Sequence, residues 1–275
     1  MPADQPQNEM SFLEHLEALR WHVVRSAIAI VVLSVAAFMA KEFVFGVLIL
    51  GPSEPDFWFY RMACDLGAKM AGSTAFCIDE LPFILQSRKM TGQFSMHITV
   101  SLVTGFVVSF PYVFWETWRF ISPALYDKEK QNSRGAVLFV SLLFMLGVLF
   151  GYYIVSPISI NFLANYQVDP SILNEFDITS YVGTITMLVL ACGLMFQLPM
   201  VIYFMSKAGI VTPDVLRNYR RHAIVVILIL GAIITPPEPF SQILIALPIL
   251  LLYEIGISIS ALVNRRRLKK EKSLD

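Results

Sequence analysis

Residues 135–166 read GAVLFVSLLFMLGVLFGYYIVSPISINFLANY, with no Asp, Glu, Lys or Arg anywhere in the stretch. A helix needs about 20 mostly apolar residues to cross the hydrocarbon core of a bilayer. In lipid its backbone groups must also be satisfied within the segment itself. The stretch therefore reads as a spanning helix, and similar runs lie on either side of it. Ser26–Leu50 is broken only by Lys41-Glu42. Phe94–Trp115 and Ile178–Ser206 are free of charged residues, while Ala223–Pro237 and Pro239–Tyr253 are shorter runs. Together they predict an all-α membrane protein with six transmembrane helices.

The basic residues alternate between these runs. Arg20 and Arg25 precede or open the first. Arg119, Lys128, Lys130 and Arg134 lie between the second and third, and Lys207, Arg217, Arg220 and Arg221 between the fourth and fifth. Arg265, Arg266, Arg267, Lys269, Lys270 and Lys272 follow the sixth, whereas segment 165–177 and turn 235–239 carry no Lys or Arg. The positive-inside rule then places both termini in the cytoplasm. Net charge is zero, so bulk electrostatics names no partner and gives no reason to expect nucleic acid.

The expected organisation is a single polytopic membrane domain over 1–264 and a basic cytoplasmic tail over 265–275. Residues 1–22 form an amphipathic cytoplasmic lead-in: Phe12, Leu13, Leu16, Leu19 and Val23 recur at helical spacing, and Ser11 with Glu14 fits a capping box. Met1–Met10 is polar and shows no cleavable signal peptide. Residues 51–91 are an outer loop too apolar to stay solvated, so a cap on the outer face is expected. The loop carries Cys64 and Cys77, and an oxidising periplasm permits their pairing. The alternative is two unrelated thiols.

Prolines 111, 157, 199 and 248 fall inside runs and predict kinks and an open, curved bundle. Ala223–Ile234 gives only about 18 Å of helix, and Thr235-Pro236-Pro237-Glu238-Pro239 forms a rigid turn. Two short C-terminal helices are therefore expected.

No HExxH, GxSxG, P-loop or GxGxxG motif is present, and His15, His22, His97 and His222 are scattered. These features point away from an enzyme, a metal site or a cofactor. His97 reads as a lone polar hydrogen bond. Glu14, Glu17 and Glu129 stand on the basic face. They are either solvated charges paired with local cations or a carboxylate pocket for an arginine-bearing segment. Gln197 and Glu254 lie inside spans, each about 15 Å from the next basic residue along the helix. Polar groups at such depth are costly and usually functional. Their matching depth suggests one polar layer.

Phe12-Leu13-Glu14-His15-Leu16-Glu17-Ala18-Leu19-Arg20 resembles the lead-in motif of the TatC family, the polytopic subunit of the twin-arginine protein translocase. Trp118-Arg119-Phe120-Ile121-Ser122-Pro123-Ala124-Leu125-Tyr126, followed by Glu129, resembles its first cytoplasmic loop. Phe196-Gln197-Leu198-Pro199, Thr235-Pro236-Pro237 and Leu252-Tyr253-Glu254-Ile255-Gly256 are similar to its later motifs. The resemblance implies a glove-shaped bundle in the bacterial inner membrane that binds twin-arginine signal peptides of folded cargo. Glu129, Glu17, Glu14, Arg20, Pro123 and Tyr126 would serve that site. Gln197 and Glu254 would dock single-span partner subunits of the TatA/TatB type, within a complex holding further copies of this chain. Transport would draw on the membrane potential or proton gradient. The family usually has a glutamate where this chain has Ala18, so Glu17 or Glu14 takes that role here. Two other classes compete. A secondary small-molecule transporter is suggested by Gln197 and Glu254 but lacks repeated halves, and a membrane enzyme lacks a catalytic set.

Overall fold

The computed structural model describes residues 12–71, 77–78, 81–121, 133–169, 171–235 and 239–271. Helix α1 is Phe12–Met39, and α2, Trp58–Ala71, lies in the loop that follows it. The third helix, α3, is Gly92–Ile121. Ser133–Phe150 forms α4, which passes through a π-helical segment, Gly151–Val155, into α5, Ser156–Asn165. Next come α6, Ile178–Met195, and α7, Leu198–Lys207. They are followed by the short α8, Pro213–Asn218, then α9, Arg220–Ile234, and α10, Pro239–Glu271. Among the described residues five helical stretches are long and apolar enough to cross a membrane: Leu19–Met39, Gly92–Phe120, Gly135–Asn165, Ile178–Lys207 and Ser241–Arg267.

Helix α9 has 15 residues, or about 22 Å, and falls short of a full crossing, as expected of it. Helix α10 runs longer than the sequence reading, for 33 residues. Glu254 does not end it, because the apolar Ile255–Val263 that follows continues the helix, and cations suit a helix C-terminus. The four prolines also divide. Pro111 and Pro248 lie inside unbroken helices. Pro157 follows the π-segment, where the Ser156 hydroxyl donates to the Gly151 carbonyl at 2.8 Å. Pro199 sits in the first turn of α7, just after a two-residue break at Phe196–Gln197.

Helix α1 packs chiefly on α3, while its other face, with Ile28, Val31, Val32 and Val35, is exposed and suited to lipid. A Cβ on Gly105 would lie 2.5 Å from the Ser34 backbone nitrogen, so only glycine lets these two helices approach so closely. Gly147 plays the same part between α4 and α6, where a Cβ would meet the Cys192 carbonyl at 2.5 Å. Phe110 of α3 stacks on Phe144 of α4 at 3.6 Å between ring centroids, beside buried Val140, Val148 and Met200. A second apolar cluster, including Leu188, Ile202, Leu216, Ile227 and Ile249, joins α6 through α10. Two serine pairs fasten α10, Ser159–Ser241 at 2.6 Å and Ser206–Ser260 at 2.7 Å.

One end of the bundle carries a cap. The loop over 51–91 forms α2, and Cys64 is disulfide-bonded to Cys77. Further along the loop, Ile84–Gln86 forms strand β1, which pairs in parallel with β2, Glu175–Asp177. Beyond α1 the chain is π-helical over Val44–Ile49, and its carbonyls need partners there. Tyrosines supply them: Tyr152 donates to Val47 at 3.1 Å and Tyr181 to Ile49 at 2.9 Å. The fully buried Tyr60 hydroxyl lies 3.0 Å from the carbonyls of both Pro52 and Pro157, tying α2 to the bend above α5. Burial pushes the Tyr60 phenol well above its ordinary pKa, so it stays a donor. Asp177 caps α6 by accepting from the Thr179 amide at 2.8 Å, and it also accepts from the Arg88 amide at 3.1 Å.

Candidate functional site: the inner ends of α1 and α3 and the intramembrane polar residues

Opposite the cap, α1 begins, α3 and α7 end, and α10 runs out. The lead-in acid Glu17 is exposed on α1, as is Arg20 one turn on. Glu14 lies on the same helix. Glu129, Pro123 and Tyr126 lie outside the described residues.

The described part of this region contains a carboxylate to which the sequence reading gives no role. Glu116 ends the charge-free run of α3 and is 1 % exposed. Its Oε2 meets His22 Nδ1 of α1 at 2.5 Å and lies 3.9 Å from Arg25 Nη1, while its Oε1 lies 3.6 Å from Arg119 Nη1. The Arg119 guanidinium also sits over the Trp115 ring at 5.2 Å. The available signal was an acid directly abutting an apolar run of membrane length. Such a residue must find a cation or stay in water. Its partner His22 is 94 positions away, beyond any local pattern. Nearby, Trp118 is buried against Phe204 of α7, with ring centroids 5.1 Å apart. This contact seats α3 on α7.

Gln197 and Glu254 are not bonded to each other; each bonds to a different neighbour. Gln197, in the break before α7, donates from Nε2 to the Val140 carbonyl of α4 at 3.3 Å. Its Oε1 is buried and accepts nothing, and the adjacent Ser141 Oγ is likewise unpaired. Glu254 Oε2 accepts from Arg220 Nη2 at 2.7 Å, and both side chains are about half exposed. The hairpin geometry accounts for this pairing. Arg220 stands as far before the 235–239 turn as Glu254 stands after it, so the antiparallel helices bring the two level. His97 makes the polar contact expected of it, with Nε2 3.0 Å from the Phe38 carbonyl and its ring stacked on Phe38. Among the described residues no group of three or more His, Cys, Asp or Glu gathers as a metal site.

Residues 14–248 match the family described as Sec-independent protein translocase protein (TatC). The chain is 37% identical over 262 residues to the Sec-independent protein translocase protein TatC of Blattabacterium sp., covering 95% of this chain and 98% of that one. It is 34% identical over 265 residues to the protein of the same name from Aquifex aeolicus, covering 96% and 100%. A crystal structure of the twin arginine translocase receptor TatC superposes with a TM-score of 0.68 at 32% identity, covering 91% of this chain and 100% of that one. A second, of the receptor in DDM, gives 0.71 at 33% identity, covering 90% and 99%. This is a family of protein-translocase components rather than enzymes. The similarity covers nearly the whole length in both sequence and fold, and the chain belongs to the TatC family of Sec-independent protein translocase subunits.

Proposed function

We propose that this chain is the receptor subunit of a twin-arginine translocase in a bacterial cytoplasmic membrane, with both termini in the cytoplasm. Glu129 and the lead-in acids Glu17 and Glu14 accept the two arginines of a signal peptide, with Arg20, Pro123 and Tyr126 completing the site. Arginine suits such a site because its planar fork matches carboxylates bidentately, which lysine cannot do. The carrying observation is that the family match runs unbroken from 14 to 248 and so takes in both the lead-in and the 122–132 segment. Exposure of Glu17 and Arg20 adds support. So does the disulfide at the cap end, since such bonds persist in oxidising compartments and that end would face outward.

Partner docking is proposed at Gln197. An amide oxygen buried without a donor favours a polar group on an incoming single-span helix of the TatA/TatB type. Glu254, held by Arg220, would offer a second polar contact. Transport would then be driven by the proton-motive force. The test is binding of a twin-arginine signal peptide and its twin-lysine variant to the purified chain. The first should bind and the second lose most of its affinity; equal binding of both would overturn the proposal.

A further inference from the structure

The ends of α7 and α10 and the elbow between α8 and α9 are strongly basic. Segments 207–221 and 254–267 hold seven Lys or Arg against two Asp or Glu. Two of these cations are engaged: Arg220 donates to Glu254 at 2.7 Å, and the Lys207 ammonium lies over the Tyr203 ring at 5.8 Å. Two at the elbow are not. Arg217 reaches only Asp214, at 3.7 Å with both side chains largely exposed, and such a pair is worth little. Arg221 is exposed and makes no ion pair among the described residues. The backbone keeps these two arginines together. The amide of Tyr219 donates to the Val215 carbonyl at 3.0 Å, and that of Ala223 to the Tyr219 carbonyl at 2.9 Å. The chain therefore stays helical in pitch through the elbow, and residues four apart are neighbours on one face.

The surface beside them is apolar. Helix α9 buries Ile227 and Gly231 and packs chiefly on α10. At 100° per residue, Arg221 heads a stripe of Val225 and Leu228, while His222 heads one of Val226, Ile229 and Ile233; all five apolar side chains are exposed. Tyr219 is exposed as well, its ring 5.3 Å from that of His222. Cations and an aromatic ring at the end of bare apolar stripes make the pattern of a membrane–water boundary. The apolar part of α9, Ala223–Ile234, rises about 18 Å, close to the roughly 15 Å of one acyl layer, half of the hydrocarbon core.

We propose that Arg217 and Arg221 bind the headgroup of an anionic phospholipid whose chains lie along the exposed stripes of α9. Free phosphate would answer the cations and leave the stripes bare. An apolar helix would cover the stripes and leave the cations unanswered. An anionic lipid does both. The site is independent of the signal-peptide reading and of which side of the membrane this end faces.

The test titrates the full chain in detergent with phosphatidylglycerol, phosphatidylcholine and inorganic phosphate, and counts bound molecules by native mass spectrometry. Each basic residue at a charged lipid surface is worth about fivefold in binding, so the wild type should prefer phosphatidylglycerol to phosphatidylcholine by about 25-fold. Arg217→Gln and Arg221→Gln should each weaken phosphatidylglycerol about fivefold and leave phosphatidylcholine unchanged. Arg221→Lys, which keeps the charge, should retain most of the preference. Arg88→Gln, at the cap end, should bind as wild type does. Equal affinity for the two lipids, or unchanged phosphatidylglycerol binding in both glutamine variants, overturns the proposal. Displacement of the lipid by an equal concentration of inorganic phosphate also overturns it, because the site would then be a plain anion site. So does a dimer that both glutamine variants abolish without changing the lipid count, because the patch would then be a contact between copies.

Discussion

Replacing Gly105 with alanine should move α1 off α3. The added Cβ would lie 2.5 Å from the Ser34 backbone nitrogen and 2.7 Å from its Cα. Backbone atoms cannot rotate aside as a side-chain tip can, so the helices must part by about 1 Å to restore ordinary contact. Overpacking of this kind costs about 1–3 kcal/mol. The low end is expected, because α1 has lipid on its other side and can shift as a unit. Gly183→Ala is the matched control: it lies inside α6, where a Cβ meets nothing within 4 Å. There alanine should stabilise by up to about 1 kcal/mol through helix propensity. Unfolding by SDS titration, followed by circular dichroism, measures both. Gly105→Ala gains the same propensity inside α3, so the two variants should differ by the overpacking cost alone, about 1–3 kcal/mol, with Gly183→Ala the more stable. If Gly105→Ala proves as stable as Gly183→Ala, the close approach of α1 and α3 is not a real constraint.

Four further outcomes are expected. Glu129→Ala should weaken twin-arginine peptide binding by the value of a hydrogen bond to a charged group, about 1.5–3 kcal/mol, measured by titration calorimetry; unchanged affinity would remove Glu129 from the site. Gln197→Leu should leave peptide binding intact while impairing export and disulfide crosslinking from nearby α4 and α7 positions to a partner helix; normal export would contradict partner docking there. Glu129→Cys should label from the cytoplasm and Glu175→Cys from outside, and the reverse pattern would invert the proposed orientation. Thr179 holds the Asp177 carboxyl below the usual carboxylate range, so the cap contributes stability above the unfolded value of about 3.9 and loses it as pH falls through the lower folded value. Hydrogen exchange at the Thr179 amide should stay slow until the pH drops below that ordinary value, and exposure beginning above it would refute the cap.

The hydropathy pattern carried the class of fold because a bilayer reads a helix by a one-dimensional sum. Enough apolar residues in a row leave lipid as the stable environment whatever the neighbours are. That reasoning located Gly135–Asn165 and the shortness of α9 from residue identities alone, and ordered motifs pointed to the family. Helix breaks were less legible. Four prolines look alike in sequence, yet only those at Pro157 and Pro199 follow an interruption. Whether a proline falls at such an interruption depends on local packing, as at the π-segment where the Gly151 carbonyl accepts from both the Ser156 amide and its hydroxyl. Cys64 and Cys77 were visible as a pair, but their bond required α2 and residue 77 to be brought together.

By itself the sequence determined a helical membrane protein, where most of its spans lie, and its family. These depend on composition along single helices and on motifs that stay in register. The tertiary structure alone decided which polar groups meet: Glu116 with His22, Glu254 with Arg220, Gln197 with the Val140 carbonyl, and three tyrosines with the carbonyls beyond α1. Apolar surface is satisfied by lipid or by any helix, so it does not specify a neighbour. A hydrogen bond or ion pair needs one atom within about 3 Å, and helix adjacency across dozens of residues decides which atom that is.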